Sequence, residues 1–152
     1  VQGDSWMDRE WSSSALDSDQ PGWDWFALQL DDGRDLMYYQ LRNRQGGMHA
    51  FSRGSLVETD GSVRALLPGQ VRLTPVRHWQ AQDGTRYPTR WRLQVPGLEL
   101  DLVVKALLDD QLMDHSVRYW EGAVEVSGSH PGRGYLELSG YAENQAEPTV
   151  SR

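Results

Sequence analysis

Apolar and polar residues alternate with a period of two along most of this chain, in short stretches separated by turns. Residues 86–95 show it most clearly, because Tyr87, Trp91 and Val95 fall on one side of an extended chain and Arg86 and Arg90 on the other. Such alternation predicts a strand with one buried and one wet face. Further strands are predicted at residues 48–58, 62–67, 71–79, 98–106, 118–128 and 135–141, and only residues 107–115 favour a helical turn.

Turns rich in glycine and proline separate these strands at the short spacing typical of an all-β sandwich or barrel. With a hairpin at residues 23–42, the pattern predicts about nine strands, within eight to ten, and no βαβ unit. We expect a bend or bulge at Gly54 and an edge strand or irregularity at Pro75. Gly122, Gly134 and Gly140 lie in or beside strands, which favours a closed antiparallel β-barrel that can hold one small ligand.

The hairpin at residues 23–42 organises the rest of the prediction. Asp32-Gly33 is a favoured two-residue turn, and with that loop Phe26 lies opposite Tyr39. The predicted faces are Asp24, Phe26, Leu28, Leu30, Met37, Tyr39 and Leu41 on one side, and Trp23, Trp25, Ala27, Gln29, Leu36, Tyr38 and Gln40 on the other. Neither face has the polar character of a strand surface in water, so we expect both to be covered. One face would meet the core, and the other a further piece of chain, a partner domain or a ligand.

Composition excludes several classes of function. The chain has 152 residues, enough for one domain with its own core, and a net charge of −7. Its basic residues are scattered, so we expect no nucleic-acid partner. No apolar run is long enough to span a membrane as a helix. It has no cysteine, which removes disulfides, thiolate catalysis and Cys-ligated zinc.

Familiar catalytic and metal-binding motifs are missing. Ser129 stands one place too early for a G-x-S-x-G nucleophile elbow. The four histidines lie far apart without metal-ligand spacing, and no phosphate-binding glycine-rich loop precedes a helix. We therefore predict no cofactor and no metal site.

Asp24 is the first candidate for catalysis. A carboxylate beside apolar side chains tends to have a raised pKa, as a general acid at neutral pH needs. The structural alternative, in which Asp24 accepts hydrogen bonds or lies at a wet strand end, is favoured about two to one, since structural networks also perturb carboxylates.

The second candidate is a charge cluster in the N-terminal segment. Asp8 and Glu10 flank Arg9, and Trp6 and Trp11 bracket all three, an arrangement that suits the rim of a pocket. A salt bridge pinning this segment to the barrel is slightly favoured over catalysis.

Trp120 is expected to pack in the core, and Glu121 on the opposite face to be solvated. Tyr135 and Tyr141 can line a cavity, although tyrosine is also an ordinary strand residue. The candidate ligand-binding residues are Trp6, Trp11, Trp23, Trp25, Tyr38, Tyr39, Trp120 and Glu121.

Several short segments, taken together, resemble those of a known protein family. They are WMDREW at residues 6–11, GWDWF at 22–26, LQL at 28–30, YWEG at 119–122 and GYLEL at 134–138. Together they resemble the AttH/CrtC-type lipocalin-like family, which includes predicted secreted hydrolases and the carotenoid hydratase. The resemblance extends from about Ser5 to Tyr141. Gly22 is followed directly by Trp23 rather than by the G-x-W of ordinary lipocalins, whose ligand habits are therefore only a loose guide.

This resemblance implies two lipocalin-like barrels in tandem, of which this chain is the second. Residues 1–22 would be an N-terminal segment, residues 23–141 the barrel and residues 142–152 a polar tail. The start at Val1, without an initiator Met or signal peptide, then fits a processed protein or a fragment. The resemblance further implies a first barrel as partner, a pocket at or near the junction, and a periplasmic or secreted location. The carotenoid hydratase protonates an isoprenoid alkene, which requires a positioned acid.

Three hypotheses follow. The first is a module that binds an apolar or amphipathic small molecule near the junction with the first barrel. The alternative is a cofactor-free hydratase, isomerase or cyclase acting on an isoprenoid or polyketide-like substrate, with Asp24, or Asp8 and Glu10, transferring the proton. The third is a structural half that only docks the first barrel. No nucleophile, metal or paired-acid motif supports a hydrolase.

Overall fold

The computed structural model describes residues 3, 5–7, 20–45, 47–114 and 118–142, which form one antiparallel sheet. Its strands are β1 (Gly22–Leu30), β2 (Asp35–Arg42), β3 (Arg53–Val57), β4 (Val63–Leu66), β5 (Arg72–Gln80), β6 (Arg86–Val95), β7 (Leu100–Ala106), β8 (Leu112–Asp114), β9 (Arg118–Gly128) and β10 (Gly132–Ser139), with a 3-10 turn at Pro96–Leu98. The predicted all-β antiparallel class is confirmed, and β6 and β9 have the predicted bounds. None of the helical structure within the described residues is long and apolar enough to cross a membrane.

The sheet curls into a half-barrel of lipocalin-like form. Its strands are ordered β4-β3-β2-β1-β10-β9-β7-β6-β5, and β8 pairs with β9. In a flat sheet, eight strand spacings would separate β4 from β5 by about 38 Å. Residues 67–71 join these two edge strands through a turn in which Gln70 N–H donates to Leu67 O at 3.1 Å, and so short a linker reaches at most about 20 Å. The two edges are therefore drawn together at this corner, although no ladder joins β4 to β5 within the described residues.

Side chains of the protein itself fill the concave face of the sheet. Phe26 on β1 meets Trp91 on β6 edge to face, with ring centroids 5.5 Å apart. The predicted division of β6 is confirmed, because its odd-numbered side chains are buried. The largest fully buried side chains include Trp91, Trp120, Tyr38, Tyr87, Phe26, Leu28, Leu36, Leu56 and Leu93. Burying each of these large apolar groups contributes about 1.5–3 kcal/mol, so they are the main source of stability.

The hairpin at the centre of the prediction forms, but its predicted two-residue turn is wrong. The loop has three residues, since Leu30 N–H donates to Arg34 O at 2.8 Å. Gly33 ends the loop with a φ of +88°, the left-handed conformation that such loops require of their last residue. Asp32 stabilises the turn by accepting hydrogen bonds from the backbone N–H of Arg34 at 3.1 Å and from its guanidinium at 2.7 and 2.9 Å.

The longer loop shifts the register of the hairpin by one residue. Phe26 pairs with Tyr38 rather than with Tyr39, and Leu28 with Leu36. Because strand side chains alternate, this shift exchanges the two predicted faces of β2. Leu36, Tyr38, Gln40 and Arg42 share the concave face with Asp24, and Met37, Tyr39 and Leu41 lie on the convex face. The concave face is buried except at Gln40, and the convex face is half-buried except at Ala27, which is buried.

The helical turn predicted at residues 107–115 is also wrong for the part that the structure describes. Leu112–Asp114 forms β8, which pairs with the start of β9, and His115 lies outside the described residues. The loop before β8 runs along β9, where Asp109 O accepts a hydrogen bond from the Trp120 indole at 2.7 Å. Tertiary hydrogen bonds thus replace the local bonds of a helix.

Two irregularities were predicted, and one is correct. Pro75 lies in the edge strand β5, where the register with β6 shifts between Pro75 and His78. Gly54 forms no bulge, because it pairs with Tyr38 in a continuous ladder. A Cβ atom there would lie 2.3 Å from Met37 O, so the glycine permits close approach of β3 to β2.

We predict that Gly54→Ala lowers the free energy of unfolding by about 1–3 kcal/mol, because the added methyl must displace β2 backbone. Gly97→Ala is the matched control, since a Cβ there meets no atom within 4 Å, and it should leave stability within about 0.5 kcal/mol. Urea unfolding of both variants measures the difference. Equal midpoints would contradict the close approach of β3 and β2.

Candidate functional site

Polar side chains gather at the end of the half-barrel where β1 begins and β2 ends. The β1–β2 register puts Asp24 opposite Gln40, and Gly22 opposite Arg42. The chain leaving β10 brings Tyr141 to the same place. We call Asp24, Gln40, Arg42 and Tyr141 the Asp24 cluster.

The carboxylate of Asp24 has no exposed surface, and side chains of the cluster supply its hydrogen bonds. Its Oδ1 accepts from Arg42 Nη1 at 2.5 Å and from the Tyr141 hydroxyl at 2.7 Å, and its Oδ2 accepts from Gln40 Nε2 at 3.3 Å. Arg42 also donates from Nη2 to the Ser139 carbonyl, and its guanidinium lies 4.1 Å from the centroid of the Tyr141 ring. The cluster therefore joins β1, β2 and the end of β10.

Burial dominates the protonation of this cluster. It raises the pKa of Asp24 above its ordinary value of 3.8, outweighing the Arg42 charge and the hydrogen bonds from Tyr141, Gln40 and Arg42, which lower it. Burial, and after it the Asp24 charge, also holds the pKa of Tyr141 well above its ordinary value. Tyr141 thus remains a hydrogen-bond donor, and Asp24 binds a proton more readily than a carboxyl group in water.

Gly22 makes room for this arrangement. A Cβ atom at this position would lie 2.1 Å from the Ser139 carbonyl oxygen and 2.5 Å from Arg42 Nη2. Any side chain here would displace the guanidinium from Ser139. The glycine that precedes Trp23 is therefore explained by the position of Arg42.

Several of the predicted binding residues meet on the convex face instead. The register places Tyr39, Trp25, Glu137 and Glu121 in one row across β2, β1, β10 and β9. Trp23, two residues from Trp25 on the same face, donates from its indole N–H to Glu137 Oε1 at 2.7 Å. We call these five residues the convex row. Glu137 was missed by the sequence analysis, because only strand pairing reveals that it lies between Trp25 and Glu121.

The other predicted site residues lie in three places: on the convex face, in the core, and outside the described residues. Trp6 packs edge-on against Trp25, with centroids 6.2 Å apart, and so extends the convex row. Tyr38 and Trp120 belong to the core, where the Tyr38 hydroxyl points to Met48 Sδ at 3.4 Å. Asp8, Glu10 and Trp11 lie outside the described residues.

Neither site is built for a metal ion. In the described ranges, no three His, Asp or Glu side chains are placed to hold one. The Asp24 cluster already pairs its carboxylate with an arginine, which would repel a cation. Its chemistry is hydrogen bonding and proton transfer.

We predict that the contribution of Asp24 to stability increases as the pH is lowered. An ordinary salt-bridged carboxylate, whose pKa is lowered, has the opposite pH dependence. The raised pKa of Asp24 means that the folded state holds the proton at a pH where the unfolded state has lost it. The contribution of Asp24 to the free energy of unfolding is therefore largest below its ordinary pKa of 3.8. It falls as the pH rises from there through the pKa of the folded state, by at most about 1.4 kcal/mol per pH unit.

Urea unfolding of wild type and Asp24→Asn between pH 4 and 8 measures this effect as a difference. Asp32, Asp83, Asp101 and Asp109, whose pKa values are lowered, contribute with the opposite sign but cancel in that difference. Tyr141→Phe removes a bond that lowers the Asp24 pKa, so it should extend the slope to higher pH and provides a second variant if Asp24→Asn does not fold. We expect the free energy of unfolding of wild type minus that of Asp24→Asn to fall as pH rises. A rise of this quantity with pH would contradict the prediction.

Comparison with known proteins supports one family. The sequence matches the AttH-like family model over residues 1–141. Among solved structures, the chain is similar to a candidate AttH protein from Nitrosomonas europaea, with a TM-score of 0.78 and 36% identity over 86% of this chain and 42% of that one. A search of curated proteins gave no match.

Kievitone hydratase from Nectria haematococca is also similar, with a TM-score of 0.68 over 86% of this chain and 42% of the hydratase. At 19% identity this likeness shows the fold alone. The chain spans about two fifths of the length of each of these two structures. Since the family model covers all ten strands and extends to Tyr141, the chain belongs to the AttH-like family.

Proposed function

We propose that this chain is one lipocalin-like barrel of a longer, two-barrel protein, and that it binds an apolar or amphipathic small molecule at or near the junction with the other barrel. The observation that carries the proposal is the convex row, where tryptophan and tyrosine side chains stand on the outside of the sheet. As the family resemblance implies, we place the protein in the periplasm or outside the cell.

The packing of the core supports a site outside this barrel. Trp91, Trp120 and Tyr38 are at most 2% exposed and occupy the concave side. A ligand there would have to displace them, and losing the packing of one large aromatic costs about 3–5 kcal/mol. The convex side requires no such displacement.

The chemistry of the convex row supports an amphipathic ligand. Trp23 and Trp25 are half-buried, so each retains surface for a further contact. Aromatic rings with a polar edge are typical of binding surfaces, and Glu137 holds the Trp23 ring in a fixed orientation. Glu121 and Glu137 add a polar border on neighbouring strands.

The lengths of the similar structures support the proposal of a second barrel. The structures that this chain resembles are more than twice the length of the segment that it matches. A second barrel resting on the half-buried convex face would cover surface that this barrel leaves partly exposed. The ligand would then lie between two barrels rather than inside one.

We predict that Trp25→Ala weakens ligand binding about tenfold, because aromatic anchors carry most of the energy of such surfaces. The assay titrates isoprenoids and fatty acids into this chain and into the longer protein while following tryptophan fluorescence. Trp79→Ala is the control for the loss of a half-buried tryptophan elsewhere, on β5, where Trp79 packs against the core and Tyr87. Equal weakening in both variants, or no response to any ligand in either protein, would count against the proposal.

An enzymatic function is the second candidate, favoured by the raised pKa of Asp24. Asp24 itself is sealed from solvent, so a proton would reach a substrate through Tyr141, whose hydroxyl lies 2.7 Å from Asp24 Oδ1 and whose side chain is only partly exposed. Such a pair suits a cofactor-free hydratase, isomerase or cyclase that protonates an alkene.

If the second candidate is correct, Asp24→Asn in the longer protein abolishes turnover and leaves ligand binding intact. Tyr141→Phe should also abolish turnover, whereas Tyr135→Phe, at an exposed tyrosine of β10, should not. Hydration of an isoprenoid alkene is followed by mass spectrometry as the addition of water. Unchanged turnover in Asp24→Asn would remove this residue from the mechanism.

A further inference from the structure

A depression on the convex face of the sheet lies well away from the convex row and the Asp24 cluster. Its volume is about 550 Å³, and it opens to solvent over β5, β6 and β7. It lies opposite the core, because Trp91 and Leu93 of β6 point to the other side. Its lining residues are Val76, Arg90, Arg92, Asp101, Val103, Gly128 and Ser129.

One cation in this depression lacks an acidic partner. The strand register places Arg77, Arg90 and Lys105 side by side across β5, β6 and β7. Asp109 pairs with Arg77, and Glu125 pairs with Lys105 at 2.7 Å. Arg90, between them, forms no ion pair within the part of the chain that the structure describes.

The remaining charges of the depression compensate one another. Arg92 holds Asp101 through two hydrogen bonds of 2.8 and 2.5 Å, and Gln94 donates to the same carboxylate at 3.2 Å. The uncompensated charge is therefore that of Arg90 alone. Among the residues that line the depression, Arg90 therefore suits a ligand with one negative charge.

Apolar surface adjoins this cation. Val76 is 55% exposed in the segment where the register of β5 shifts, and Val103 lies two strands away on the same face. Gly128 and Ser129 border the depression at the end of β9, next to β7. A ligand that matches this surface has an apolar chain attached to a charged group.

We propose that this depression binds an amphipathic monocarboxylate, with the carboxylate on Arg90 and the apolar chain over Val76 and Val103. The guanidinium of arginine presents two parallel N–H groups in the geometry of a carboxylate. The single uncompensated charge favours a monoanion over a phosphate dianion or a nucleic acid, whose recognition needs several cations. The site is independent of the binding proposed at the convex row.

Decanoate titrated into the isotope-labelled chain, followed by NMR of backbone amides, tests the proposal. The largest shifts should fall at Val76, Val103 and Ser129. Arg90→Gln should weaken decanoate binding about fivefold, the upper range for an exposed ion pair. Arg64→Gln makes the same charge change on β4 at the other edge of the sheet and should leave binding unchanged.

Two further ligands separate the parts of the interaction. Decanol, which keeps the chain and lacks the charge, and acetate, which keeps the charge and lacks the chain, should both bind more weakly than decanoate. Equal weakening by Arg90→Gln and Arg64→Gln, or decanol binding as tightly as decanoate, would overturn the proposal. Shifts concentrated around Trp25 would likewise overturn it, and would support the site proposed at the convex row instead.

Discussion

The carboxylate of Asp24 is withdrawn from water at the end of the half-barrel, and Arg42, Tyr141 and Gln40 replace the solvent around it. Taking such an ion pair out of water is costly, and removing one partner from a buried pair typically costs about 3–5 kcal/mol. That is a large share of the 5–15 kcal/mol that stabilises a typical protein. This contact therefore adds side-chain bonds between β1, β2 and the end of β10 to the backbone ladders that already pair these strands.

The same contact constrains its surroundings. Gly22 must lack a side chain so that Arg42 can reach Ser139, and Tyr141 must lie beneath the guanidinium to reach Asp24. Tyr141 in turn packs against Tyr87 of β6, with ring centroids 5.5 Å apart. The polar network at one end of the sheet is thus in contact with the aromatic core. Through Tyr141 it connects β1 with β6, which lie far apart in the strand order.

The filled concave side limits where the proposed ligand binding can take place. Because the core aromatics occupy that side, contacts with other molecules are left to the convex face and to the rim. The convex face presents two different surfaces: the convex row around Trp25, and the depression around Arg90. One combines aromatic rings with carboxylates, and the other combines valines with a cation, so the two suit ligands of different charge.

Much of the fold could be predicted from the sequence. Alternation with a period of two gave β6 and β9 with their bounds, because half-buried strands must place apolar residues on one side. Pro75 marked an edge strand, since proline cannot donate a ladder hydrogen bond. The short segments at residues 6–11, 22–26 and 134–138 indicated the family that the comparisons support.

Only the tertiary structure decided the candidate site, and the hairpin shows why. The sequence offers both a two-residue turn at Asp32-Gly33 and the three-residue loop that forms, and both faces of the hairpin are apolar enough to be buried. Hydrophobic pattern therefore could not choose the register. The actual register sets Asp24 opposite Gln40 and within reach of Arg42, where the predicted one set it beside leucine. The sequence thus determined that strands form and which side of a clearly alternating strand such as β6 is buried. The buried face of β2 and the partners of each buried polar group depend on pairing between strands, which local pattern does not encode.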